Sequence, residues 1–203
     1  MRTLAVLLAL LLAACGGPDF SGSRAPSDLT LDDAATASRG IAIVGIAARG
    51  GASLDTMLQL DQVELAWQPL DPNGPPLLLS GDGCSDANQA PPCVRERMSY
   101  FVLTAPAGIY ALDHLAVKLG RSIRVRSFAG AERQEFVLFA GAIAYLGDFT
   151  VDPQANELVA YTRGDVGALG ALKRYSSLHG PVTFVQPTPP GAPRSLPLPI
   201  GSR

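Results

Sequence analysis

Charge of one sign is what this sequence has least of. Sixteen Lys and Arg stand against eighteen Asp and Glu, a formal net charge of −2 at pH 7. No global field therefore recruits nucleic acid, which is not expected as a partner. Lysine is confined to Lys118 and Lys173, and histidine to His114 and His179. The arginine bias, beside abundant Ala, Gly and Pro, fits a GC-rich genome and names no function. No P-loop, no G-x-G-x-x-G after a strand and no H-E-x-x-H is present. Gly164, Gly167 and Gly170 recur every third residue and do not fit the dinucleotide fingerprint, so no cofactor is expected. Long hydrophobic runs are missing too. The uncharged apolar segment Thr3–Ala14 falls short of the ~20 residues that cross ~30 Å of hydrocarbon.

That short segment follows Met1 and Arg2 and has the form of a secretory signal peptide with a brief charged head. An ordinary cleavage site needs small residues at both recognition positions. Cutting after Ala14 would put Leu12 at the first of them. Leu12-Ala13-Ala14-Cys15 instead resembles the lipobox of bacterial lipoproteins. That resemblance implies a diacylglycerol on the Cys15 thiol, cleavage just before it and acylation of the new amine. One acyl chain gives only marginal binding, so several make an anchor. The alternative is a soluble secreted protein whose cysteine falls here by chance. Residue 16 is Gly rather than the Asp that commonly retains such proteins in the inner membrane. In a Gram-negative cell the expected location is therefore the outer membrane.

With Cys15 acylated, Cys84 and Cys93 remain, an even pair in an oxidising compartment. The segment between them, "SDANQAPP", is turn-rich. A disulfide closing so short a loop contributes roughly 2.5–3 kcal/mol in the chain-entropy model. The rival is a metal site using both thiols with Asp82, Asp86 or His114, but eight intervening residues do not match C-x2–4-C zinc spacing. "DGCSDAN" lacks the residue order and closing Glu of a calcium loop.

Four segments are expected: a signal peptide at 1–14, a lipid-anchored flexible tether at 15–38, a β-sandwich domain at 39–180 and a Pro-rich, extended tail at 181–203. The tether is small, polar and Gly/Pro/Ser-rich. Beyond it the chain is short apolar runs broken by Gly/Pro turns, which predicts an antiparallel sandwich of about eight strands. Gly40–Ala48 is a buried strand. Leu58 and Leu60 alternate in one phase, and Val63, Leu65 and Trp67 in the other, so a bulge is expected between them. "SYFVLTAPAGIYALDHLAVKL" reads as strand, turn, strand, and "EFVLFAGAIAYLGDFTV" as a hairpin turning near Ala140-Gly141. One short helix is expected, capped by Asp165, with Val166, Leu169 and Leu172 on one side and Lys173 and Arg174 in its last turn. Gly167 and Gly170 each weaken it by about 1 kcal/mol relative to Ala.

"PAG-x-Y" at Pro106–Tyr110 and "aG-x-x-x-YlGdf" at Ala140–Phe149 are similar to a pattern in envelope lipoproteins of unassigned function with a β-sandwich domain. These are turn and core positions, so the resemblance implies a fold and carries no catalytic residue across.

Candidate chemistry is sparse. His114 beside Asp113 suggests an acid/base pair, and Ser176 or Ser177 would complete a triad on paper, without a G-x-S-x-G elbow. The strand alternation places His114 on one face with Tyr110, Leu112 and Ala116. Arg121, Arg124 and Arg126, with Arg133, suggest a stripe for anionic headgroups or glycan phosphates. A solvated outer strand face explains the same alternation. Trp67, Tyr100, Tyr145 and Tyr161 could line a ligand surface, but their places in strand alternations make them core first. The functional expectation is a non-enzymatic, membrane-anchored accessory or binding module for an envelope protein or cell-wall polymer. Its rivals are a hydrolase using His114 and Asp113, and a carrier of a small ligand.

Overall fold

The computed structural model describes residues 38–49, 60–83, 94, 97–173, 178, 181–192 and 198–200. The segments expected as signal peptide and, for the most part, as tether, together with Cys15, Cys84 and Cys93, lie outside the described residues, as do Leu58, Asp86, Arg174, Ser176, Ser177 and His179. Within them the chain is all-β: two sheets stack as a sandwich, with one helix. Among the described residues the strands number eleven rather than eight, two of them in the segment expected as a tail.

One sheet holds six strands: β1 (Arg39–Ala48), β4 (Ser99–Pro106), β8 (Ile143–Asp152), β9 (Glu157–Thr162), β10 (Val182–Phe184) and β11 (Leu198–Ile200). Their order is β11-β10-β8-β1-β4, with β9 also on β8. The other holds β2 (Leu60–Pro69), β3 (Leu77–Asp82), β5 (Gly108–Leu119), β6 (Ser122–Ser127) and β7 (Glu135–Leu138), in the order β3-β2-β5-β6 with β7 also on β5.

The expected antiparallel pairing holds for most pairs, but β8 runs parallel to both β1 and β10. The continuous apolar run of β1 follows from its place. It is flanked by β8 and β4 and buried on both faces from Gly40 onward, the pattern of a central strand.

Two expected hairpins are instead crossovers. The turn at Ala107 carries the chain from β4 in one sheet to β5 in the other, and residues 139–142 carry it back from β7 to β8. A tight turn has the same residue signature whether its strands pair or part. Residues expected as a free tail also join the sandwich, since β10 pairs with β8 and β11 with β10.

Three of the four register shifts among the described residues set the faces discussed below. Leu60 opposes Leu119 while Gln62 opposes Lys118, so Asp61 is an extra residue where the phase flip predicts a bulge. Ala66 opposes His114 while Trp67 opposes Leu112, which makes Asp113 an extra residue in β5. In β8 the register against β1 slips between Tyr145 and Asp148, where Gly147 has a φ of 106°.

Between the sheets Trp67 meets Phe136 and Phe149 edge-on, with centroids 6.3 and 6.0 Å apart, and Tyr110 stacks on Phe136 at 5.5 Å. The Tyr110 hydroxyl donates to the Pro106 carbonyl at 2.8 Å and ties down the Ala107 turn. That contact gives the "PAG-x-Y" motif a structural reason. On the far side of the six-stranded sheet the helix α1 (Asp165–Leu172) packs Ala168 and Ala171 against Ile41, Ile43, Val102 and Tyr145. The expected helix is present with a different face. Gly164 is its N-cap, Asp165 is its first residue, and Val166 is 86% exposed. Small side chains let the helix lie close to the sheet, and the larger Leu169 and Leu172 pack only partly.

Candidate functional site

The structure opens a cleft of about 530 Å³ where the two sheets part between β6 and β9. Its floor reaches the central core at Leu112 and Phe149, and its walls are Phe128, Leu158 and Tyr161. A volume of this order suits a small organic ligand, with a mostly apolar lining and few polar groups. Tyr161 is held in place by donating to the Leu146 carbonyl at 2.9 Å and packing on Phe149 at 5.2 Å. Burial, with Asp148 nearby, pushes its phenol well above the usual range, so it stays a neutral donor. A Cβ at Gly147 would overlap the Tyr161 ring, so this bulge position also makes room for the cleft wall.

The mouth carries Arg126. Its guanidinium binds Glu132 and Glu157 at 3.1 Å each and lies 5.6 Å from the Phe128 ring centre. Glu157 begins β9 in the opposite sheet, so its ion pair with Arg126 spans the mouth. Arg124 donates to the Gln154 carbonyl at 2.6 Å, a second tie from β6 to the β8–β9 turn.

The expected basic stripe is therefore broken up. Arg124 and Arg126 oppose the core-facing Val117 and Leu115, which places them on the inner side of β6. Ile123 and Val125 face outward, 46% and 49% exposed. The arrangement inverts the usual apolar-in pattern because β6 is a sheet margin where the inner side is still wet. Long arginine stems can lie there and keep their charged heads in water. Arg121 stands exposed in the β5–β6 turn.

His114 lies on the outer face of its sheet with Ala116, across from Ala66, while Tyr110 and Leu112 face the core. The extra residue Asp113 shifts the phase and separates the face the alternation had joined. Nδ1 of His114 is 2.9 Å from Asp113 Oδ2, and Nε2 is 3.2 Å from Glu64 Oε1. Glu64 is 2% exposed, and its Oε2 has no hydrogen-bond partner. A general base in a triad offers one nitrogen to its orienting acid and the other to the nucleophile. Here carboxylates take both.

The four aromatics divide. Trp67 is core, Tyr161 lines the cleft, and Tyr100 and Tyr145 clasp a buried carboxylate. Tyr145 donates to Asp148 Oδ1 at 2.6 Å and Tyr100 to Oδ2 at 3.1 Å. The Gly164 amide donates to the Tyr145 hydroxyl at 2.7 Å, which ties the helix start into the cluster. Burial raises both phenols out of the titrating range and raises Asp148 as well, with the two tyrosine hydrogen bonds partly offsetting the carboxyl's rise. This cluster occupies the "YlGdf" motif. It is closed off by the helix and joins the helix to the sheet.

Among the described residues no three His, Cys, Asp or Glu side chains converge as a metal site. No described helix is long and apolar enough to cross a membrane.

Sequence reasoning missed Phe128, Glu132, Phe149 and Leu158 as cleft residues. Each reads as an ordinary core or loop position until the sheets are seen to part.

A two-sheet sandwich with an open lateral cleft is the class that fold and site define. No family model matches the chain, and no curated protein does. Among solved structures, a leucine-rich repeat protein from Bacteroides thetaiotaomicron is similar at 13% identity, with a TM-score of 0.32. The match covers 67% of this chain and 16% of that protein. A likeness of this size carries no argument about function.

Proposed function

We propose that the protein is a non-enzymatic, lipid-anchored module of the bacterial cell envelope that binds a small, largely apolar ligand in the cleft between β6 and β9. The observation that carries this reading is the cleft: about 530 Å³, floored by core residues and spanned at its mouth by Arg126. Relative to the sequence reading, this moves weight from a bound protein or polymer toward a carried ligand. The hydrolase reading loses support because both ring nitrogens of His114 already meet carboxylates. The anchor at Cys15, the outer-membrane location and the Cys84–Cys93 disulfide belong to the same proposal and rest on the sequence.

The test uses the uncharged probe N-phenyl-1-naphthylamine. Saturable one-to-one binding with fluorescence enhancement is expected for the purified chain. Val159→Arg, at the exposed cleft wall, should weaken it at least ~10-fold, the equivalent of about 1.4 kcal/mol, without lowering the unfolding temperature. Binding that is unsaturable, or unchanged in Val159→Arg, would sink the proposal.

A further inference from the structure

We infer that the end of the sandwich where β1 begins is a membrane-docking surface, resting on the lipid bilayer to which the chain is tethered. The inference rests on the anchor reading above and adds an orientation to it.

Five connections among the described residues meet at that end: the chain arriving at Ser38 and Arg39, the β2–β3 turn at 70–76, the Ala107 turn, the β7–β8 turn at 139–142 and the entry into β10, where Val182 is level with Ile143. Backbone hydrogen bonds knit the first four together. Ala107 donates to Ser38 at 2.6 Å, Gly141 to Arg39 at 2.8 Å and Leu70 to Ile109 at 2.8 Å. The tether, residues 16–37, therefore reaches the domain in the middle of this surface. Gly/Ser-rich linkers of about 22 residues span ~25 Å on average, so on the anchor reading this end is the one held nearest the membrane.

The two ends differ in chemistry. The β1 entry and the three turns at 70–76, 107 and 139–142 carry only Arg39 and Asp71 as charges. The opposite end carries Arg49, Asp61, Asp82, Arg97, Arg121, Asp152 and Glu157. Leu70 and Phe139 project from turns of the β1 end, 44% and 49% exposed, beside exposed Pro72, Pro75 and Pro76.

Lipid contact also demands that backbone amides be satisfied without water. Several loop amides of this end meet that demand. Proline has no N–H. Asn73 and Gly74 donate to the Asp71 side chain and carbonyl at 3.0 and 3.1 Å, and Ala142 donates to Phe139 at 3.3 Å. Leu70, Ala107 and Gly141 donate as described above. Two large apolar tips on internally bonded loops fit the headgroup–acyl boundary, ~5–10 Å deep. Arg39 is exposed at the same level, with its guanidinium donating to the Thr104 carbonyl and hydroxyl at 3.3 Å each.

The test places the full lipidated chain in phosphatidylethanolamine–phosphatidylglycerol vesicles with dibrominated acyl chains, which quench tryptophan on contact. The native Trp67 is 1% exposed in the core and serves as a constant background. Phe139→Trp and Leu70→Trp should each show added emission that brominated vesicles cut about twofold or more. Val166→Trp, on the helix flank, should show none of that quenching. A protein that pellets with vesicles yet leaves both loop tryptophans unquenched overturns the docking surface and spares the anchor. A chain left in the supernatant overturns the anchor reading, and the docking surface falls with it. Loop tryptophans that are shifted to the blue but not bromine-quenched, in a chain that cross-links as a dimer, show a second copy covering this end and also overturn the proposal.

Discussion

Tyr145 and Asp148 are three residues apart on one strand, yet the phenol donates to the carboxylate at 2.6 Å. In a regular strand such residues face opposite sides of the sheet. The extra residue at the Gly147 bulge brings them to the same side, where Tyr100 completes the clasp. Asp148→Ala would leave two hydroxyls without their acceptor. At about 1–3 kcal/mol for each unmet buried group, the expected loss is ~3 kcal/mol by urea unfolding. Asp148→Asn keeps one acceptor and should lose clearly less. Equal losses in the two variants would mean the clasp is not what the carboxylate contributes.

The same carboxylate gives a pH signature. Burial holds Asp148 above its ordinary value of 3.8, against the pull of its two tyrosine hydrogen bonds. A group raised in the folded state binds its proton more tightly there. Its contribution to stability is then complete below the unfolded value and lost as pH rises through the folded one. The stability of the wild type minus that of Asp148→Asn should therefore fall from about pH 3.8 upward and then level off. A difference that grows with pH would show that the hydrogen bonds outweigh burial.

Two glycines of one helix should respond with opposite signs. A Cβ at Gly167 would run into the ring and hydroxyl of Tyr100, whereas Gly170 has nothing within 4 Å of that position. Alanine is favoured over glycine in a helix interior by about 1 kcal/mol. Gly170→Ala should raise the unfolding temperature, and Gly167→Ala should lower it despite the same propensity gain. Two stabilised variants would mean the helix is free to move off the sheet.

His114→Ala removes the partner of a buried carboxylate. Leaving a buried polar group without its hydrogen-bond partner costs about 1–3 kcal/mol. Adding Glu64→Gln should restore much of the loss, so a double-mutant cycle on thermal unfolding should be strongly non-additive. Additive losses would show that the two side chains do not depend on each other.

The cysteines answer to chemistry and fractionation. Cys15→Ala should release the protein from the membrane fraction, and tight attachment in that variant would remove the anchor. Cys84 and Cys93 should resist alkylation until reduced. Free labelling of both in the native protein would exclude the bridge.

The local parts of this fold were legible in the residues. The phase flip between Leu60 and Val63 marked the bulge at Asp61, and the unbroken apolar run from Gly40 marked a central strand. The β5 bulge was not legible, because Asp113 sits in an alternation that continues plausibly on either side of it. His114 was consequently read on the wrong face. Arg124 and Arg126 were legible as a face of β6 but not as its inner face. Alternation states that two sides differ and leaves open which side the partner sheet covers.

What the sequence determined by itself was the all-β class, the strand-and-turn punctuation and the residues available to each face. All of these depend on neighbours within a few positions along the chain. Tertiary structure alone decided which turns cross between sheets, where the sheets part into a cleft, and that Asp148 meets Tyr100, 48 residues away. Period-two patterning records that a residue is covered but not by what. The covering partners come from distant segments whose pairing is chosen by the packing of the whole core.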